Sequence, residues 1–239
     1  MATALVTGAS SGIGLAITLE LARAGHRVYA IGRSEKALND LRAAHAAITP
    51  IALDVTDREA AEAALAGLEI DVLVNNAGVM PPLGNFADMD PADIDTALEV
   101  NLSAVIALTR LVVPGMRARG RGHIFFTGSA AAHTAFPNMA VYSATKGAIA
   151  SFAAALRADL SPFGIRVTEI VPGRVETALY KDILDDAARA AMYSGVKAVQ
   201  PEDVARMVNG VLNLPEWATV SRFDIVPTRP TPPAKKVTR

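Results

Sequence analysis

The sequence predicts an α/β fold: a single-domain doubly wound parallel sheet with helices on both faces, three layers in all. Three observations carry this. Short β-rich runs alternate with Ala/Leu-rich helical stretches along the chain. The strand runs are apolar without strict alternation, as strands buried on both faces are. A glycine-rich turn follows the first strand directly and opens into a helix.

The elements follow in order. The run Ala2 to Thr7 is a first strand and Gly14 to Ala24 its helix; Arg27 to Ile31 and Glu35 to His45 repeat the pattern, as do Thr49 to Leu53 and Asp57 to Ala66. A fourth strand spans Asp71 to Asn75, and a long helical region runs from Pro91 to Arg119. The strand His123 to Thr127, a helix around Tyr142 to Leu160 and the strand Ile165 to Ile170 complete the alternation. Residues 178–199 read as a mixed helical insertion near the strand ends, suited to a substrate lid. Residues 227–239, with Pro227, Pro230, Pro232 and Pro233, read as an extended tail lying against its own or a neighbouring subunit.

Composition narrows the function. With 51% hydrophobic and few aromatic residues, the chain of 239 residues has an Ala/Val/Ile/Leu core. A net charge of -1 supplies no field to gather nucleic acid or to hold the chain on an anionic membrane, so small molecules are the expected partners. The absence of cysteine excludes disulfides, thiol chemistry and cysteine-ligated metal, and is compatible with a cytoplasmic location. The N-terminus lacks the basic region of a signal peptide, and no apolar run approaches membrane-spanning length, so a soluble, unprocessed protein is expected.

Two stretches carry chemistry. In Thr7-Gly8-Ala9-Ser10-Ser11-Gly12-Ile13-Gly14, glycines allow a tight turn and close backbone approach to a pyrophosphate, while the helix N-terminus contributes amide donors and a positive dipole end. The second strand then ends in Arg33-Ser34, where an NAD enzyme would be expected to carry Asp or Glu for the ribose hydroxyls. Arg33 can pair with a 2'-phosphate, with Ser34 as a further donor, so NADP(H) is favoured over NAD(H). Further along, Tyr142 and Lys146 stand four residues apart on one helix face. A free phenol loses its proton near pH ~10, and a neighbouring cation pulls that value toward working pH.

Ser129 lies 142 - 129 = 13 residues upstream of Tyr142, at the end of a strand. Together with Gly8, Gly12 and Gly14, Asn75-Asn-Ala-Gly78, Asn101 and Pro172-Gly173, this set resembles the short-chain dehydrogenase/reductase family over essentially the whole chain. The resemblance implies a Rossmann-like fold and an NADP-preferring carbonyl reductase or alcohol dehydrogenase acting without metal. It implies that Tyr142 is the general acid or base, that Ser129 polarises the carbonyl, that Lys146 tunes the phenol and holds the nicotinamide ribose, and that Asn101 supports a proton relay. Asp54 and Val55 are implied to flank adenine, Asn75, Ala77 and Gly78 to shape the ribose pocket, and Pro172, Gly173, Val175 and Thr177 to hold the nicotinamide carboxamide. Candidate substrate-pocket residues by family position are Met80, Phe86, His133, Phe136, Met139, Tyr180, Met192 and Tyr193. Arg174 could reach a substrate carboxylate or phosphate, although a solvent-exposed role is the simpler expectation. A homotetramer or dimer is expected, packed through the helices bearing Tyr142 and Asn101, with Leu108, Leu111, Val112 and residues 148–152 supplying apolar faces. Two other readings remain: a dedicated biosynthetic reductase of carrier-bound β-ketoesters, which would need a basic docking surface such as Arg117, Arg119 and Arg121, and a non-redox binding protein on the same fold.

Overall fold

The computed structural model describes residues 1–180, 183, 185–193 and 197–229. Seven parallel strands form one sheet in the order β3-β2-β1-β4-β5-β6-β7. They are β1 (Thr3–Thr7), β2 (Arg27–Gly32), β3 (Ile48–Ala52), β4 (Val72–Asn75), β5 (Gly122–Thr127), β6 (Ile165–Pro172) and β7 (Arg222–Ile225). Among the described residues eight α-helices accompany them: α1 (Gly12–Arg23), α2 (Glu35–Ala44), α3 (Arg58–Leu65), α4 (Pro91–Leu98), α5 (Ala104–Arg119), α6 (Ala140–Leu160), α7 (Asp186–Tyr193) and α8 (Pro201–Leu212). The order reverses direction between β1 and β4, which opens a crevice at the carboxyl ends of those strands.

The strands bury side chains on both faces, so their apolar runs need no alternation. On one face Ala4, Val6, Val28 and Val74 pack beneath Ile17 and Leu21 of α1, Leu38 and Leu41 of α2, and Val204 and Val208 of α8. On the other, Leu5, Leu73, Ile124 and Phe126 pack beneath Ala61 of α3, Leu108 and Val112 of α5, and Ile149 and Ala153 of α6. Leu108, Val112 and Ile149 therefore serve the core, while Leu98, Ile106 and Leu111 are the larger apolar side chains exposed on the α4–α5 rod.

Several details differ from the sequence expectation. Residues 91–119 run as one rod, but Glu99–Ser103 form a π-helical turn in which the Ala104 N–H bonds the Glu99 carbonyl. By length and apolarity this rod could cross a membrane, an averaged property that a search for unbroken apolar runs passes over; here it lies against the sheet. Helix α8 and strand β7 were not anticipated, because β7 is a four-residue edge strand whose Arg222 and Asp224 interrupt its apolar positions. The Arg117–Arg121 cluster sits just before β5 begins, at the opposite end of the sheet from the crevice. Arg117 stacks on Phe163, Arg119 donates to the Ile70 carbonyl, and Arg121 pairs with Asp71 at 3.6 Å. These side chains close the bottom of the sheet rather than offer a docking surface at the site mouth. Residues 230–239, most of the expected tail, lie outside the described residues.

Candidate active site

The turn after β1 is shaped by close approach. Gly8 has φ +65°, and a Cβ on Gly14 would stand 2.2 Å from the Gly8 carbonyl oxygen and 2.5 Å from Asn76 Nδ2. Only a glycine fits there, and the helix start is drawn tight against the strand end. Asn76 fixes this corner: its amide donates to the Thr7 carbonyl at 3.1 Å, and its Oδ1 accepts from the Thr127 hydroxyl at 3.3 Å. Thr7 returns the contact, its hydroxyl oxygen accepting from the backbone N–H groups of Asn76 at 2.9 Å and Ala77 at 3.0 Å. The ends of β1, β4 and β5 are thus tied into one floor. Thr7, Asn76 and Gly128 are site residues that the sequence reading did not single out, although Asn76 stood inside the quoted Asn75–Gly78 segment.

Asn75 itself faces away from the crevice. Its side chain is buried and donates to Thr109 of α5 at 3.0 Å, which leaves only its backbone near the strand end. Ala77, Gly78 and Val79 continue along the crevice wall toward Lys146. A Cβ on Gly78 would lie 3.2 Å from Asn101 Oδ1 and 3.5 Å from Lys146 Nζ, so this segment passes directly over both side chains.

Asn101 occupies the π-helical turn and grips Val79 from both sides. Its Oδ1 accepts from the Val79 N–H at 2.7 Å, and its Nδ2 donates to the Val79 carbonyl at 2.8 Å. The same Nδ2 reaches Thr145 Oγ1 at 3.2 Å, which joins α4–α5 to α6 within one helical turn of Tyr142 and Lys146. π-helical turns recur at functional sites because they swing one side chain out of the regular helical register.

Tyr142 and Lys146 share a face of α6, both buried, with Nζ 5.8 Å from the phenol ring centroid. Lys146 Nζ donates to the Thr127 carbonyl at 2.8 Å. Burial pushes its pKa down to about 8, yet the group still carries its charge through neutral pH. Ser129 opens the 3-10 turn Ala130–Ala132, and its Oγ accepts from the Ala131 N–H at 3.1 Å. With that lone pair engaged, the hydroxyl proton is left to donate elsewhere.

The segment after β6 faces the glycine turn across the crevice. Pro172, Gly173, Val175 and Thr177 line it together with Gly8, Ser11, Gly12, Ile13, Ser129, Tyr142 and Lys146. Thr177 Cγ2 approaches within 3.3 Å of a Cβ on Gly12. A bridge between Val175 and Val199 pins the segment, with Glu176 N–H donating to the Val199 carbonyl at 2.9 Å and the Tyr193 hydroxyl donating to the Val175 carbonyl at 3.1 Å. On the substrate side Met80 packs with Ala131 and Tyr142, joined by Met139 and Ile183. Phe86 stands mostly in solvent, Phe136 is a little under half exposed, and His133 turns toward Glu169. The side chains of Tyr180 and Met192 lie outside the described residues.

Ser10 flanks Gly32 at the end of β2, its Oγ 3.1 Å from where a Cβ would stand. Arg33 and Ser34 follow, exposed, and Ser34 Oγ caps α2 by accepting from Ala37 N–H at 3.3 Å. Hydrogen bonds from the Thr56 N–H and hydroxyl, with the Arg33 charge, hold the Asp54 carboxyl below its usual range against the opposing effect of burial. Asp54 and Val55 thus lie beside Arg33 on the β2–β3 flank, away from the Tyr142 end of the crevice.

The family model for short chain dehydrogenase matches residues 2–188. The chain belongs to the short-chain dehydrogenase family. Among members of this family, an uncharacterised short-chain type dehydrogenase/reductase of Sinorhizobium fredii is 47% identical over 226 residues, 94% of this chain and 91% of that protein. The NADP-dependent 3-hydroxy acid dehydrogenase YdfG of Escherichia coli is 35% identical over 232 residues, covering 93% and 94%. A serine dehydrogenase solved in a closed form with NADP+ superposes with a TM-score of 0.93 at 34% identity, covering 99% of each chain.

Proposed function

We infer that this short-chain dehydrogenase transfers hydride between NADP(H) and a small or medium carbonyl/alcohol substrate, with Tyr142 as general acid or base. The observation that carries the reading is the convergence of Tyr142, Lys146 and Ser129 on one end of a crevice whose other end is the Gly8–Gly14 turn. The residues fit a dinucleotide. Gly8 and Gly12 line the crevice, Gly14 lets the start of α1 close onto the strand end, and the end of β2 offers Arg33 and Ser34 with no carboxylate to repel a 2'-phosphate. Gly8, Ser11, Gly12, Ile13 and Gly14 would hold the pyrophosphate, Arg33 and Ser34 the phosphate on the ribose, and Val175 and Thr177 the nicotinamide end.

When bound, the cofactor supplies or accepts the hydride. This chain's own residues handle the proton. Ser129, its Oγ engaged by Ala131, donates to the substrate oxygen, and Tyr142 delivers the proton to that oxygen in reduction or removes it in oxidation. The Lys146 ammonium favours the phenolate and so holds the proton within transferable range. Asn101 keeps Val79 and Thr145 in place around it.

The relatives named for 3-hydroxy acid and serine point to a small hydroxy acid within this substrate class. Residues 178–199 serve as the lid, although 181, 182, 184 and 194–196 lie outside the described residues; the helices bearing Asn101 and Tyr142, with Leu111 exposed, form the homo-oligomer face, and the cytoplasm is the location. Purified protein with NADPH and a panel of aldehydes, ketones and 3-oxo acids tests the assignment. Consumption should occur with NADPH in preference to NADH and should fall by about 10²–10⁴ in Tyr142→Phe; an undiminished Tyr142→Phe would overturn the mechanism.

A further inference from the structure

We propose that Glu169 and His133 form a clip that positions Ser129, an inference resting on the role given to Ser129 above. Glu169 stands on β6 opposite Phe126 of β5, and this parallel register turns both toward the layer of α5 and α6. The neighbouring positions in that layer, Phe126 and Val167, are wholly apolar, and packing alone would ask for another such residue. Instead a carboxylate lies there with its side chain only 6% exposed. Burying a charge is unfavourable unless it is paired and hydrogen-bonded, so its partners tell what it holds.

Two contacts of one oxygen are decisive. Glu169 Oε1 lies 3.0 Å from His133 Nε2, and it lies 2.6 Å from where a Cβ on Gly128 would stand. Gly128 immediately precedes Ser129. His133 ends the turn that Ser129 opens, its own N–H donating to the Ala130 carbonyl at 3.0 Å. Inside this span Ala132 N–H bonds the Ser129 carbonyl at 3.0 Å. A single carboxylate oxygen therefore meets both ends of the loop, and the missing side chain at residue 128 is what lets it do so. The Arg157 guanidinium on α6 adds its positive charge toward the carboxylate from the helix side.

Glu169 and His133 touch neither the glycine turn nor Lys146, so both are positioning residues. Without the clip the loop shifts, and a displacement on the order of 1 Å at a reacting group costs up to about 10² in rate. The expected result is a fall in kcat of about tenfold in Glu169→Ala and His133→Ala, with the NADPH dissociation constant unchanged. His133→Gln, which keeps a donor toward Oε1, recovers most of the rate. Because hydride transfer becomes slower in the loosened loop, the deuterium isotope effect on kcat with 4-deuterated NADPH rises in His133→Ala above its wild-type value. Should Glu169→Ala fail to fold, His133→Ala carries the test, since His133 is partly exposed and lies on a loop. Wild-type kcat in a folded His133→Ala, or no recovery in His133→Gln, overturns the clip. Ser129→Ala separates the two inferences: if it retains full turnover the role of Ser129 fails, whereas if it is inactive while His133→Ala is normal only the clip fails.

Discussion

Lys146 Nζ donates to the Thr127 carbonyl across 2.8 Å, and this bond joins the proton-handling helix to the end of the strand that leads into Ser129. The ammonium is buried, and burial has moved its pKa from 10.5 to about 8. Between those two values the unfolded chain binds the proton that the folded chain releases, so stability from this group rises with pH across that window and its deficit is complete below about 8. Lys146→Met removes the buried charge. At pH 7 the variant should melt a few degrees above wild type in calorimetry while losing turnover and binding NADPH more weakly. A lower melting temperature would show that the bond to Thr127 outweighs desolvation.

The same titration shapes the rate. Reduction should decline as pH rises through about 8, because the neutral amine no longer favours transfer from Tyr142. A kcat profile for the reductive direction from pH 6 to 10 checks this, and a flat profile across 8 would contradict it.

Arg33 is the one residue at the end of β2 able to meet a phosphate with a charged fork. Arg33→Asp places there a carboxylate that repels a 2'-phosphate and accepts from ribose hydroxyls. We expect kcat/KM with NADPH to fall by about 10- to 100-fold, the loss of a charge-assisted hydrogen bond, while the value with NADH holds or rises. Equal losses with both cofactors would place Arg33 outside the adenosine site.

Gly14 offers a steric test independent of charge. Its Cβ in Gly14→Ala would stand 2.2 Å from the Gly8 carbonyl oxygen, far inside contact distance, and neither group can retreat because Asn76 holds the Thr7–Gly8 corner. The variant should lose NADPH binding in a fluorescence titration and melt lower than wild type.

His123 contributes to acid sensitivity. Desolvation, aided by the Arg166 charge, pushes its pKa down to about 2, so the folded chain keeps it neutral with Nε2 against Thr168 Oγ1 at 2.8 Å. Below the unfolded value of 6.5 only the unfolded chain takes up the proton, and stability falls as pH drops from there toward 2. Urea melts at pH 7, 5.5 and 4 should show this slope, and His123→Gln should flatten it.

The sheet was readable because its strands are buried on both faces. Continuous apolar runs such as Leu73–Val74 and Ile124–Phe126 state that burial directly. β7 was not readable, since at the sheet edge Arg222 and Asp224 can stay in water and pair with each other at 3.1 Å. At the site, residues acting through type and spacing were visible: the glycines, Ser129, Tyr142 and Lys146. Asn76 was not, because its work is to bind carbonyl and hydroxyl groups of two other strands, and such partners lie 51 and 69 residues away. Asn75 and Asn76 look equivalent in sequence, yet the strand's alternation sends one to Thr109 and the other into the crevice. The Glu169–His133 pair, 36 residues apart, was hidden for the same reason.

The strand order also dictates when the catalytic crevice can come into being. β1 pairs with β2 through residues 3–7 and 27–31, but its other edge waits for Val72–Val74. During synthesis the glycine turn therefore emerges long before the strand that completes its corner, and until then β1 has no partner on its β4 side. Docking of β4 is a closure over nearly seventy residues, the kind of non-local pairing that slows folding. Until it occurs the nascent chain exposes an apolar, unpaired strand, a template for misassociation. The geometry that makes a binding cleft in the finished molecule is, for the growing one, its most vulnerable interval.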